Sequence, residues 1–126
     1  MTRGQQLGIL GLTPSRLAPM MQGVCLRPSK KLVTNSQIDS RLCEAGSLFF
    51  ALTGNERDGF SYIADAERRG AVAVVVPASR AEEARHLVSV SIIAVTDVLS
   101  ALHRLAASYV AHCNQATLIG ITGSVG

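Results

Sequence analysis

Ser47-Leu-Phe-Phe-Ala-Leu52 and Ala71-Val-Ala-Val-Val-Val76 decide the fold of this chain. A strand with one wet face alternates apolar and polar residues. These two runs are apolar almost throughout, so each reads as a strand buried on both faces. Between them, Phe60 to Arg69 has helical spacing, with Phe60, Ile63 and Ala64 on one side and Asp65, Glu67, Arg68 and Arg69 more exposed. Gly70 stands where a helix stops.

Working outward, the same alternation continues in both directions. Upstream, Glu44-Ala45-Gly46 is a turn, and Val33 to Ile38 reads as a short strand leading into Asp39-Ser40-Arg41. Before it, a short helix is expected over residues 14–22: Thr13 can cap it, Pro14 suits the first turn, Leu17, Met20 and Met21 share a face, and Gly23 can close it. Residues 1–12 read as a loose N-terminus. Downstream, Pro77 ends the second strand, and Ser79 to Leu87 is a short helix whose Glu82, Glu83, Arg85 and His86 complement its dipole. Ser91 to Val95 is the next strand. Thr96 or Asp97 then caps a longer helix with Val98, Leu99, Leu102, Leu105, Ala106 and Tyr109 on its apolar side, running to about His112. Asn114-Gln115 breaks it, and Thr117 begins a last apolar strand. Strands alternating with helices over short connections make an α/β fold, a small mostly parallel sheet flanked by helices. The expected organisation is a domain over 13–113 and, from 114 to 126, the start of a second.

Composition narrows the classes. An apolar fraction of 48% in 126 residues supports a real core, and 4% aromatic content with no tryptophan makes that core aliphatic. No apolar run is long enough to cross a bilayer, and Arg3, Pro14, Arg16 and Pro19 interrupt any signal-type block, so a cytoplasmic protein without a membrane partner is expected. The net charge of +3 is scattered. Arg27, Lys30 and Lys31 form one small cluster, Arg68 and Arg69 another, and neither is interleaved with aromatics, so no nucleic-acid partner is expected. Cys25, Cys43 and Cys113 are odd in number and far apart, which disfavours a disulfide framework or a zinc site. His86, His103 and His112 lack a carboxylate at ligand spacing, and no metal site is expected.

Three stretches carry candidate chemistry. Asp39, Ser40 and Arg41 place an acceptor, a hydroxyl and a planar cation in one turn, suited to a base or sugar and a phosphate; a capped turn with a local Asp–Arg pair is the reading that the residues alone favour. Gly54, Asn55, Glu56, Arg57, Asp58 and Gly59 form a glycine-bounded loop at the end of a buried strand, the place where an α/β sheet presents groups to a ligand. Gly120-Ile-Thr-Gly-Ser-Val-Gly126 reads as a phosphate cradle in which Thr122, Gly123, Ser124, Val125 and Gly126 would approach an anion. Its spacing departs from the general phosphate loop, since Ile121 stands five places before Gly126 where a glycine belongs. A plain turn at Gly123 and Gly126 is the alternative.

Taken together, Ile38-Asp-Ser-Arg41, Ala45-Gly-Ser-Leu-Phe-Phe-Ala-Leu52, Gly54-Asn-Glu-Arg-Asp-Gly59 and Gly70-Ala-Val-Ala-Val-Val-Val76 resemble the N-terminal domain of the Mur ligases, ATP-dependent amide-forming enzymes of peptidoglycan precursor synthesis. The closing Gly120 to Gly126 resembles the start of that family's phosphate loop, short of its lysine. The resemblance implies that Asp39, Ser40, Arg41 and the Gly54 to Gly59 loop hold the UDP end of a UDP-muramoyl peptide, and that Thr122 to Gly126 begin an ATP site. It implies ATP and Mg²⁺ as cofactors of the parent enzyme, none bound to this stretch alone, which is expected to be monomeric and inactive. Leu12-Thr-Pro-Ser-Arg-Leu-Ala18, Val95 to Ala106 and the Ser-Val-Gly ending favour the member that adds D-alanyl-D-alanine to the tripeptide over the member that adds the third stem residue. The alternative from another class is an α/β interaction module whose last strand pairs with a partner.

Overall fold

The computed structural model of the chain describes residues 12–53 and 58–108. Five strands form one sheet in the order β1-β5-β4-β3-β2: β1 Val24–Leu26, β2 Asn35–Gln37, β3 Ser47–Phe50, β4 Ala73–Pro77 and β5 Ser91–Val95. β2 to β5 run parallel, whereas β1 lies antiparallel along β5. The helices are α1, Pro14–Leu17, prolonged by a 3-10 turn over Ala18–Met21; α2, Ile63–Arg68; α3, Ala81–Leu87; and α4 over residues 98–108.

The doubly buried strands sort their side chains by parity. Leu48 and Phe50 of β3 face one layer with Val75, Ile93 and the apolar sides of α1 and α4; Phe49 and Ala51 face the other with Val74, Ile92, α2 and α3. A period of two places successive residues on opposite faces, and both faces are covered, so a continuous apolar run is what the position demands. The expected α/β sheet flanked by helices is what forms.

Several local expectations are corrected. Val33 to Ile38 yields a strand only over Asn35–Gln37, because Val33 leaves the ladder and bonds its N–H to Leu12 O at 2.9 Å. The helix over 60–69 begins as a 3-10 turn, Gly59–Tyr62. That tighter winding, three residues per turn, aligns Phe60, Ile63 and Ala66 on the buried side and leaves Ala64 exposed. In α4 the buried positions are Val98, Ala101 and Leu105, and Leu99 is 48% exposed; the small Ala101 lets the helix lie close to the sheet. The first helix is closed by Gln22, at φ 56°, and not by Gly23. Gly23 answers a different need, since a Cβ there would lie 2.7 Å from Val95 Cγ1 and 2.9 Å from Ala94 O.

Candidate functional site

Parallel strands deliver their carboxyl ends to one edge of the sheet, where ligands of open α/β sheets bind. At that edge lies a pocket of about 290 Å³ walled by Ile38, Asp39 and Ser40 after β2, by Phe49 of β3, by Leu52 and Thr53 just beyond it, and by Gly59 and Tyr62. A second hollow of about 320 Å³ shares Leu52 and Thr53 and continues past Pro77 to the start of α4. The two form one groove along the edge.

Each wall follows from local chemistry. Asp39 caps the 3-10 turn Ser40–Leu42: its Oδ1 accepts from Arg41 N at 3.0 Å. The same carboxylate takes the Arg41 guanidinium in a fork, Nε to Oδ1 at 3.0 Å and Nη2 to Oδ2 at 2.7 Å. The hydrogen bonds and charge of Asp39 raise the Arg41 pKa above its ordinary value, against a small opposing effect of burial. Ser40 is buried, and its hydroxyl donates to the Asp65 carboxylate of α2. Asp39 and Ser40 line the pocket, while Arg41 pairs with Asp39 and is absent from the wall.

The second loop is closed at its base. Asp58 pairs with Thr53 across an antiparallel bridge, its Oδ1 accepts from Phe60 N at 3.1 Å, and Gly59 N donates to Leu52 O at 2.7 Å. Asp58 and Gly59 thus hold the rim. Gly54, Asn55, Glu56 and Arg57 lie outside the described residues, as do Thr122, Gly123, Ser124, Val125 and Gly126, so the expected phosphate cradle has no structural account here. Ile38, Phe49, Leu52, Thr53 and Tyr62 also line the pocket and were not among the expected site residues: Phe49 and Leu52 belong to an apolar run that pattern cannot separate from core. Among the described residues no cluster of histidine, cysteine and carboxylate side chains fits a metal, and no helix is long and apolar enough to cross a membrane. Burial pushes the Cys43 thiol up to about 11, with the Ser47 hydroxyl opposing, so it stays protonated at neutral pH.

Two carboxylates tie this edge together electrostatically. Burial raises the Asp65 pKa, but the hydrogen bonds from Ser40 and Arg69 and the charges of Arg69 and Arg68 outweigh it and hold it below the ordinary aspartate value. Asp97 is lowered by the backbone N–H and hydroxyl of Ser100, its partners at the start of α4. A carboxylate depressed in the folded state stabilises above its unfolded pKa, and that stabilisation is lost as pH falls through the folded value. The midpoint of thermal unfolding is therefore expected to fall as pH drops below about 4, and Asp65→Asn should flatten that fall. An acid profile of Asp65→Asn as steep as that of the unsubstituted chain would remove Asp65 from the account.

A mostly parallel α/β domain with its groove along the carboxyl edge of the sheet belongs to the class of open α/β folds that bind ligands outside the carboxyl ends of their strands. Residues 32–110, more than half of the chain, match the model of the Mur ligase family, catalytic domain, and the chain belongs to that family. It is 39% identical over 94 residues to a UDP-N-acetylmuramoyl-L-alanyl-D-glutamate--2,6-diaminopimelate ligase of Mesorhizobium japonicum, covering 75% of this chain and 19% of that protein. It is 40% identical over 89 residues to the ligase of the same name from Geobacter sulfurreducens, covering 70% and 17%. The chain thus spans about a fifth of the length of the curated relatives it matches. In three dimensions it is similar to MurF from Acinetobacter baumannii, with a TM-score of 0.67 at 23% identity over 82% of this chain and 22% of that one, a likeness of fold.

Proposed function

We propose that this chain is the UDP-binding part of an ATP-dependent amide-forming ligase of peptidoglycan precursor synthesis. The observation that carries the reading is the pocket at the carboxyl edge, whose lining combines the apolar Ile38 and Phe49 and the ring of Tyr62 with the oxygen-bearing Asp39, Ser40 and Thr53. Apolar walls with a few placed polar groups suit a pyrimidine and its ribose: the flat ring takes the apolar side, and the sugar hydroxyls donate to the oxygens. Thr53 and Gly59 border this space, so the Gly54 to Gly59 stretch would meet the diphosphate, with the rest of the ligand following the groove.

In the parent enzyme ATP would phosphorylate the carboxylate at the end of a UDP-muramoyl peptide, and an amine would displace the phosphate to form the amide. Thr122, Gly123, Ser124, Val125 and Gly126 would begin the ATP cradle. The nucleotide end is remote from that chemistry, and its binding energy positions the reacting carboxylate. The relatives at 39% and 40% identity are named for addition of diaminopimelate. They weigh toward addition of the third stem residue, whereas the sequence motifs favoured D-alanyl-D-alanine. The likeness to MurF, at 23% identity, bears on fold and does not decide between the two.

Calorimetric titration of the chain with UDP-muramoyl dipeptide and tripeptide tests the reading. Saturable binding of either, displaced by UDP and not by ADP, is expected. A folded sample that gives no heat with either ligand would sink it, and concentration-dependent dimers without a nucleotide response would favour the interaction module instead.

A further inference from the structure

We infer that Arg80 is a positioning residue that latches the rim of the carboxyl-edge pocket, an assignment that rests on the nucleotide-binding reading above. Arg80 lies at the end of the 3-10 turn Ala78–Arg80 between β4 and α3, and it does not line the pocket. Its guanidinium nevertheless joins three partners. Nη1 donates to Asp58 Oδ2 at 3.1 Å, Nε and Nη2 donate to the two Glu83 oxygens at 3.3 and 3.4 Å, and the central carbon sits 3.8 Å from the centroid of the buried Phe60 ring.

These partners belong to different parts of the structure. Glu83 is on α3, which packs on the sheet through Ala81 and Ala84, whereas Asp58 is bridged to Thr53 at the pocket edge. The two Asp58 oxygens have separate tasks: Oδ1 caps the turn that carries Gly59 and Tyr62, and Oδ2 takes Arg80. Arg80 therefore ties α3 to the residues that form the pocket rim. Half-exposed ion pairs contribute little to global stability. A planar cation stacked on a fixed ring while forked between two carboxylates has a different effect, since it orders a rim before the ligand arrives and so reduces the ordering cost of binding.

The test compares the chain with Arg80→Ala and Arg80→Lys, using UDP and uridine as probes together with amide hydrogen exchange. Arg80→Ala is expected to weaken UDP and uridine alike by about fivefold. The Gly59 and Phe60 amides should exchange faster, while Val74 and Ile92 in the sheet do not change. Arg80→Lys should recover only part of the affinity, because a point charge cannot hold both carboxylates and the ring face together. Should the alanine variant fail to fold, the lysine variant carries the same comparison. Weaker UDP with unchanged uridine would assign Arg80 to direct phosphate contact and overturn the positioning role, as would unchanged exchange at Gly59 and Phe60. If the unsubstituted chain binds neither probe, the nucleotide reading itself fails, and the inference with it.

Discussion

Replacing Phe49 by alanine is expected to lower the unfolding free energy by about 4 kcal/mol and to open the floor of the carboxyl-edge pocket. Phe49 is 1% exposed and sits in β3, in register with Gln37 on one side and Val74 on the other. Strand backbones flank it on both sides and α2 covers it through Ile63 and Ala66, so the surroundings cannot collapse into the space a benzyl group leaves. In a domain held by roughly 5 to 15 kcal/mol, such a loss is a large share of the total. Phe50 provides the control. It is equally buried, packs in the opposite layer, and does not touch the pocket. Urea unfolding should therefore show similar losses for Phe49→Ala and Phe50→Ala, while UDP titration of the folded fraction should show a loss of affinity in the Phe49 variant alone. A destabilisation below about 1.5 kcal/mol for Phe49→Ala would mean that the site repacks and that the rigid-sheet account is wrong.

The strands that the sequence makes plain are those buried on both faces. Leu48 to Phe50 and Ala73 to Val76 are unbroken apolar runs, as burial on both faces demands, and the one polar residue beside them, Ser47, is satisfied by hydrogen bonds to Asn35 and Glu44. β1 carries no such mark. Val24-Cys25-Leu26 is three residues long, pairs on one side only, and leaves Val24 62% exposed, so neither periodicity nor length separates it from a loop. The helices were visible, but their phase depended on how each begins. A 3-10 start over Gly59–Tyr62 rotates the buried side from Ala64 to Ala66, and no composition signal distinguishes that start from a regular first turn.

The lining of the candidate pocket was legible where it is made of polar residues at strand ends, and hidden where it is made of core. Asp39 and Ser40 stood out because, with Arg41, they place an acceptor, a hydroxyl and a cation in one turn after a strand, although polar turns are common in themselves. The capped turn with a local Asp39–Arg41 pair is one of the two readings the sequence offers and is what forms, whereas the donation from Ser40 to Asp65 joins residues 25 positions apart that no local pattern links. Arg80 was overlooked for a related reason. It lies 22 residues beyond Asp58, and only the packing of α3 beside the 3-10 turn brings the two within 3.1 Å.

Gly59→Ala is expected to cost about 2 kcal/mol in stability and to weaken UDP binding by at least about tenfold. The reason is space. A Cβ at Gly59 would stand 2.5 Å from Leu52 O, 2.7 Å from Leu52 N and 2.9 Å from Ala51 C. All three are backbone atoms at the end of β3, where Ala51 N still bonds Val75 O at 3.0 Å, so the strand cannot give way without losing sheet hydrogen bonds. The segment that moves must be the one bearing Gly59. Its 2.7 Å bond to Leu52 O would break and the Thr53 to Asp58 bridge would open, carrying Asp58 away from Arg80 and Tyr62 away from the pocket. Comparison with Phe50→Ala separates geometry from stability, because that substitution destabilises more yet leaves the rim intact. If binding follows rim geometry, Gly59→Ala loses far more affinity than Phe50→Ala despite its smaller loss of stability. If affinity instead falls in proportion to destabilisation across the two variants, the closed approach of Gly59 to Leu52 is a folding device alone, and the ligand must be sought elsewhere along the groove.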